Sequence, residues 1–595
     1  MKRLLRQLGD WIDDRTPWRT GVSAWFDSSV PRGAGLVGAL GAAVVTCFIV
    51  LAVTGVVLMM GYAPSPQAAW ASVHYVQFVQ TGGWVLRGLH YWATQALFVL
   101  AALHILCVAL YASPRRPREI GWWMGLLVLG LAVGEGITGG LLPWDQRGWW
   151  ARVVEGNITG LAPVIGGWLE QMMSGGSELG ALGLTRAYTA HVLLLPLPIA
   201  LALWVRHTLV RRHGWREPTH AGDVEPYLRL LARGVVVFVV ITLALFAVTW
   251  RFRGAPLEAP ADPISDYPAR PEWFLYTLFQ LRKFFHGPAE FWGTTLIPGA
   301  AAGYLAILPF LDRSRRWHPI VVLPVLGIFG GAVWLGVMAS RHDGRDAQYL
   351  KARAKWDRHA AAVAKLATNG VPPGGPLELI RHDPELRGRE LFERHCASCH
   401  VLEDLGDFKK ATATKLDGWG TTAWIEAMIH DPDAPEFFGR GPYLEQMPSV
   451  EVRPKKKPPN ETWTPMIKSD AEKKAVALFL AAEEDEPGDP PRPALTADVR
   501  AEGEKIVSER CTTCHLYKGE GDDEDNGLAP ELSHYGSVAW TRSQVANPAS
   551  PETYRKKALD PELKKHMPRF DKDLSSEDVE IVARWTRSHG RSGSL

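Results

Sequence analysis

The sequence has almost no charge imbalance: 65 Lys and Arg stand against 63 Asp and Glu, a formal net charge of +2 at pH 7. That balance argues against nucleic acid as a partner, because a nucleic-acid binder needs a strong basic excess. Cysteine is scarce, with six in 595 residues, too few for a disulfide-stapled scaffold. Charge is also missing locally. Seven apolar runs, Leu36–Met60, Trp84–Tyr111, Gly121–Leu142, Arg186–Val210, Gly234–Trp250, Phe291–Leu311 and Ile320–Met338, are long enough, or nearly so, to cross a bilayer as helices. No cleavable signal precedes the first run; residues 1–20, with Trp11 and Trp18 among Lys and Arg, read as an interfacial helix in a 1–35 amino-terminal segment. Lys and Arg are absent between the first and second runs. They cluster after the second (Arg115, Arg116, Arg118), the fourth (Arg211, Arg212, Arg216) and the sixth (Arg313, Arg315, Arg316). The positive-inside rule then makes the amino terminus cytoplasmic, and an odd number of spans places everything after the seventh outside.

From about residue 341 onward the chain turns charged and Pro-rich, which makes it a membrane half joined to a globular half. Cys47 and Cys107 lie inside apolar runs and read as small buried residues. The other four cysteines form Cys396-Ala-Ser-Cys399-His400 and Cys511-Thr-Thr-Cys514-His515, each the C-x-x-C-H pattern of covalent c-type haem. Attachment of that kind takes place outside the cytoplasm in bacteria, in agreement with the charge-derived orientation. The surrounding sequence repeats with a period near 115 residues: Cys396 recurs as Cys511, Trp424 as Trp540, Pro432 as Pro548 and Met447-Pro448 as Met567-Pro568. A period this long implies two domains rather than a solenoid. They are expected at 385–485 and 486–595, behind a 341–384 linker. In each copy the motif histidine, His400 or His515, supplies one axial nitrogen to iron, and a distant thioether is the natural second ligand. Met567 is the candidate in the second copy. Met447 is favoured in the first, with Met466 as the alternative.

Histidine carries the membrane half. His90 and His104 are fourteen residues apart in the second run, and His191 and His207 lie in the fourth. Fourteen residues of α-helix rise roughly 21 Å and stop about 40° short of four turns, so His90 and His104 face one side at two depths. Two helices of this kind can clamp two haems across a bilayer of roughly 30 Å. A lone intramembrane His is more often a hydrogen-bonded core residue, but two pairs beside two c-haem motifs favour ligation. Both helices enter from outside, so His90 and His191 are assigned to an outer haem b and His104 and His207 to an inner one. Gly41 and Gly55 on the first run, and Gly125 and Gly139 on the third, repeat the fourteen-residue spacing. They offer side-chain-free backbone at both depths, either for haem clearance or for close helix packing. Arg87 and Arg186, near the outer ends of their helices, are candidates to neutralise haem propionates, or else they snorkel to the interface. Glu135 lies inside the third run, where an ionisable group is costly and usually functional. It belongs to an outer proton path or pairs with Arg147 or Arg152.

The second run reads Arg87-Gly-Leu-His90, the third ends Leu142-Pro-Trp-Asp-Gln146, the fourth opens Leu184-Thr-Arg186, and the loop after the fifth contains Pro271-Glu-Trp-Phe274. Together these resemble cytochrome b of the cytochrome bc and bf complexes, in the form of bf-type cytochrome b (36–215) joined to its three-helix subunit IV (216–340). The globular half resembles tandem class I cytochromes c. The resemblance implies an all-α architecture, a seven-helix di-haem membrane bundle followed by two small cytochrome c domains. It also implies a quinol:cytochrome c oxidoreductase core subunit in the bacterial inner membrane, acting in a homodimeric complex. Such a subunit uses quinol and quinone, two haem b and two covalently bound haem c, a Rieske iron–sulfur protein and a soluble or membrane-bound electron acceptor. Glu272 is implied as the proton acceptor in quinol oxidation.

Three departures qualify the resemblance. The Cys that binds an extra haem in bf-type relatives aligns with Ala39, and no Cys-x-His-x-x-Cys sequence is present, so a Rieske protein would be a separate chain. Bf-type relatives also place fourteen residues between the two ligands of the fourth run, and here that place is Arg206. His207, sixteen residues after His191, points about 160° away on a regular helix, or about 60° if one residue is absorbed in a π-bulge. A bulge or kink is therefore expected between Pro196 and His207, with His207 on the inner haem and Arg206 directed to a propionate, the bilayer surface or the inner quinone site. Rival readings are a non-bifurcating electron wire between quinone and a periplasmic partner, and a haem-based sensor. The outer-site motifs disfavour the wire, and the lack of an output segment disfavours the sensor.

Overall fold

A computed structural model describes residues 26–31, 35–112, 114–215, 224–440, 447, 450, 465–482, 495–521, 529–548 and 567–592, with Gln7, Asp10 and Asp13 singly. The expected interfacial helix over 1–20 therefore lies almost wholly outside the described residues. Two compact units divide the chain, Met1–Leu379 and Ile380–Leu595.

The first unit is built on seven helices long and apolar enough to cross a membrane, Gly35–Gly61, Gly83–Tyr111, Glu119–Leu141, Ala181–His213, Tyr227–Arg251, Gly287–Leu311 and His318–Asp343, so the chain is a multi-pass membrane protein. Each coincides with one of the apolar runs. Their cores are α1 (Gly35–Gly61), α2 (Gly83–Cys107) and α3 (Glu119–Leu141). After α4 (Gln146–Gly160), the chain continues as α5 (Ala181–Thr189), α6 (Pro196–His213), α7 (Tyr227–Arg251), α8 (Ile297–Leu311) and α9 (His318–Asp343). Outward faces are bare apolar surface, as at Leu197, Leu201 and Trp204 on α6 and Val235, Val236 and Leu243 on α7, which suits lipid rather than water as the solvent. Inward, Val44, Cys47, Leu97, Phe98, Val128, Ala132, Ile199 and Ala202 close a dry core between the two expected haem levels.

Three features had no sequence signal. Ser29–Pro31 pairs antiparallel with Val224–Pro226 as a short ribbon in an otherwise helical fold. The segment expected to be a linker contains α10 (Ala347–Leu366), which belongs to the first unit. Its Arg353 pairs with Glu258 at 2.8 Å, and its Ala364 carbonyl meets His74 Nε2 at 3.1 Å.

The third feature is in the second unit. Its helices are α11 (Pro384–His395), α12 (Thr422–His430), α13 (Asp470–Ala481), α14 (Ala497–Arg510), α15 (Val538–Ala546) and α16 (Ser576–Ser592). The repeats were expected to fold side by side, and instead they exchange helices. The first helix of repeat one, α11, lies on the last helix of repeat two, α16, and α14 of repeat two lies on α13 of repeat one. Glycine makes both crossings possible: a Cβ on Gly388 would stand 2.3 Å from Trp585 Cβ, and one on Gly503 would stand 2.4 Å from Phe479 Cβ. Arg387–Asp578 at 2.9 Å fastens the first crossing and Arg510–Glu472 at 2.9 Å the second.

Candidate functional site

At the outer level, Thr54 on α1 and His90 on α2 meet with Oγ1 and Nδ1 2.9 Å apart. The Thr54 hydroxyl donates to the Val50 carbonyl at 2.6 Å, so it accepts from the Nδ1–H of His90 and leaves Nε2 unprotonated. Opposite, Nδ1 of His191 lies 2.7 Å from Glu135 Oε2, 3.2 Å from the Glu135 carbonyl and 3.4 Å from Thr138 Oγ1. A carboxylate only accepts, so this ring too carries its proton on Nδ1. The two rings stand 6.1 Å apart between centroids at 70°. Gly55 and Gly139 lie directly against them: a Cβ there would approach the Cε1 atoms of His90 and His191 to 3.2 and 2.5 Å. Two imidazoles with Nε2 free and side-chain-free backbone behind each fit an iron porphyrin. Thr54, Thr138 and the Glu135–His191 pair are not among the site residues expected from sequence. A signal was present, since Thr-Gly stands at 54–55 and again at 138–139.

The loops above this level meet as expected. Asp145 caps α4 by accepting from Gly148 N–H at 2.9 Å, a contact typically worth about 1 kcal/mol. Its other oxygen accepts from Glu258 N–H at 3.1 Å. Gln146 N–H donates to the Ala259 carbonyl at 2.8 Å and Ala261 N–H to Trp144 at 3.0 Å, which binds the loop after α7 to the loop after α3. Glu272 sits in this joint with its carboxylate 2.8 Å from Arg147 Nη2 and 3.9 Å from where a Cβ on Gly140 would be. Neighbouring Phe274 stacks on Phe98 of α2 at 4.2 Å. Arg152 pairs with Glu155 at 3.7 Å, so neither arginine takes Glu135. Burial and the nearby Glu272 carboxylate, against the pull of Arg152, push Glu155 up to about 8. Arg87 donates to Gln77 and to the carbonyls of Ala255 and Pro256 at 2.7–3.1 Å, and Arg186 to the carbonyls of Gln171 and Met172 at 3.4 and 3.3 Å. Both guanidiniums thus fasten loops.

The inner level departs from expectation. A π turn is present, but it lies at Ala190–Leu194, closed by Leu195 N–H on the Ala190 carbonyl at 2.9 Å, and not between Pro196 and His207. Pro196 and Pro198 lack N–H groups, so the ladder is already open there and a wide turn is cheapest just before them. One residue absorbed at that point leaves His191 and Arg206 fourteen effective residues apart, the spacing of His90 and His104. Arg206 therefore takes the place facing His104, with Nη2 2.7 Å from His104 Nε2, and is buried, while His207 is turned to the Tyr227 hydroxyl at 3.1 Å. Gly41 and Gly125 lie against this pair, their Cβ positions 3.2 Å from His104 Cε1 and 2.2 Å from Arg206 Nη1. His104, Arg206, His207, Tyr227 and Gly41 share the wall of a cavity of about 400 Å³. A guanidinium cannot ligate iron. With Arg206 on Nε2 of His104 and His207 turned to Tyr227, the residues here do not fit the two-histidine clamp expected of His104 and His207.

In the second unit both C-x-x-C-H segments close the same turn, His400 N–H on the Cys396 carbonyl and His515 N–H on that of Cys511, each at 2.9 Å. His400 Nδ1 bonds the Thr414 carbonyl and His515 Nδ1 the Pro530 carbonyl, each at 2.8 Å, again leaving Nε2 for iron. Burial lowers both imidazoles from their ordinary pKa and keeps them neutral. Met567 packs on the core formed by Leu391, Phe392, Val545 and Val582, together with Cys396. Met447 packs on the other core, with Ile506, Val507 and Cys511.

Residues 27–214 match the family described as cytochrome b/b6/petB. Residues 386–482 match cytochrome c, and 498–585 match cytochrome c oxidase, cbb3-type, subunit III. Cytochrome b6 of Synechococcus elongatus is 31% identical over 214 residues, which cover 36% of this chain and 100% of the relative. Cytochrome b6 of Emiliania huxleyi is 32% identical over 209 residues, 35% and 97% of the two chains. Among solved structures, a chain titled "Hyperthermophilic respiratory Complex III" superposes on 58% of this chain and 93% of its own length, with 24% identity and a TM-score of 0.49.

Proposed function

Because the chain belongs to the cytochrome b/b6 family and carries cytochrome c domains behind its membrane half, we propose that this electron-transfer protein is the haem-bearing core of a bacterial quinol:cytochrome c oxidoreductase. One observation carries the reading. Gly139 and Gly140 are consecutive on α3, and Gly139 lies against His191 while Gly140 faces Glu272. A carboxylate therefore stands one residue from the outer haem level, an arrangement that a simple electron wire does not need.

Haem supplies one-electron carriage at His90 and His191 and at the two C-x-x-C-H segments. The chain's own residues do the rest. The joined loops around Asp145 and Glu258 roof the outer site, and Phe98 and Phe274 line it with apolar surface. Glu272, steadied by Arg147, accepts a quinol proton and delivers it outward. A separate Rieske protein would take the first electron, and His90 and His191 would hold the group that receives the second. His104, once released from Arg206, would hold an inner haem b. The c domains lie on the periplasmic side, where they reach a soluble or membrane-bound acceptor. Pyridine haemochrome analysis of the isolated chain should give haem b and covalent haem c in equal amounts. A ratio far from one, or a purified complex with no Rieske protein, would return the chain to the wire.

Glu135 explains itself through its partner. A carboxylate on the far nitrogen of a ligand histidine raises the basicity of that ring and favours ferric iron. Glu135→Gln should weaken that preference about tenfold, the lower end for such outer-shell changes, and so raise the outer haem midpoint by about 59 mV for one electron. A redox titration in which only one b component moves upward would bear this out, and an unmoved midpoint would make Glu135 a packing residue.

A further inference from the structure

The helix exchange in the second unit bears on which methionine serves which haem. In a side-by-side pair of domains, His400 would find Met447 and His515 would find Met567. The chain crosses over between Leu416 and α12, and again between Leu532 and α15. Leu416 N–H still bonds the Val401 carbonyl at 2.9 Å beside the first motif, yet Trp424, eight residues later, is buried in the core that contains Ile506, Val507 and Tyr517 of repeat two. In the opposite sense, Leu532 N–H bonds the Leu516 carbonyl at 2.8 Å beside the second motif, while Val545 belongs to the core with Leu391, Phe392 and Leu402 of repeat one. Each methionine follows its own last helix: Met567 packs against the same core as Cys396, and Met447 against the same core as Cys511.

On the reading of the C-x-x-C-H segments as covalent haem sites, we propose that each c haem is held across the repeats. Thioethers and histidine come from one repeat and the axial sulfur from the other, His400 with Met567 and His515 with Met447. The consequence is mechanical as well as spectroscopic. Neither haem pocket is complete without residues of both repeats, so the pair forms one obligate two-haem unit rather than two beads on a linker. Leu416 packs against both cores and joins them at the crossing.

The test uses the full chain in its isolated complex. With Cys511→Ala and Cys514→Ala, the remaining c haem is attached at Cys396 and Cys399. Its ferric near-infrared sulfur-to-iron charge-transfer band should vanish with Met567→Ala and survive Met447→Ala. The reciprocal chain, Cys396→Ala with Cys399→Ala, should lose the band with Met447→Ala alone. The same-repeat pattern in either chain overturns the proposal. Should single-haem chains fail to accumulate, the fully haem-loaded protein offers a second readout. Arg387→Glu opposes Asp578 across the α11–α16 crossing and should lower the thermal midpoint of the c unit, and adding Asp578→Arg should restore most of the loss. Additive losses instead of rescue would mean that α11 and α16 are not partners, and the crosswise assignment would fall. Absence of covalent haem at both motifs would instead refute the underlying reading of the motifs.

Discussion

Glu272→Gln should slow quinol oxidation about 10²-fold, the usual range for removing a general base, while the b haems should stay reducible by quinol from the inner side. Glutamine keeps the size and one acceptor oxygen of the side chain, so the loop joint built on Asp145, Gln146 and Glu258 persists. What is lost is the proton acceptor and its ion pair with Arg147 at 2.8 Å. The partner arginine supplies a control. Arg147→Leu unfastens the carboxylate without removing it, so it should lower turnover less than Glu272→Gln does. Steady-state quinol oxidation by the isolated complex is the measurement. Unchanged turnover in Glu272→Gln would make this residue an ordinary loop acid.

The second large effect separates two neighbouring residues. His104→Leu should empty the inner level and halve the haem b content, whereas His207→Leu should leave haem b unchanged. The reason is register: with one residue absorbed at Ala190–Leu194, Arg206 and not His207 repeats the spacing of His191. Arg206→His would place a second imidazole at that position, and the inner haem should gain the low-spin signature of two axial histidines. Electron paramagnetic resonance and haemochrome analysis of the three variants decide the matter. Loss of an inner low-spin signal in His207→Leu would restore the two-histidine clamp.

The membrane half was legible because hydropathy is a one-dimensional property: seven apolar runs became seven spans with ends shifted by a few residues. The levels at His90 and His104 were legible for a similar reason, since fourteen residues on one helix fix a depth and a direction. What could not be read lay between helices. Glu135 looked like a partner for Arg147 or Arg152, and only packing shows its carboxylate 2.7 Å from His191. The π turn was anticipated in kind but placed too late, because the prolines favour the turn ahead of them rather than after them. The exchange of α11 and α14 was invisible for a different reason. Both crossings use the same chemistry, glycine against an aromatic, so Gly388 with Trp585 and Gly503 with Phe479 are interchangeable as patterns. A sequence repeat states which helices are alike and says nothing about which copies pair.

In the proposed mechanism quinol gives its two electrons to two different series of carriers, one through the c haems and one through the membrane. The most direct measurement is an oxidant pulse. In the isolated complex with quinol present, its Rieske protein bound and reoxidation of the b haem blocked at the inner side, a brief pulse of an oxidant that accepts electrons only from the c haems should oxidise haem c and at the same time reduce haem b. Each electron drawn toward the c haems obliges its twin to enter at the His90–His191 level. Haem b that becomes oxidised together with haem c would contradict the account and leave a single-file wire.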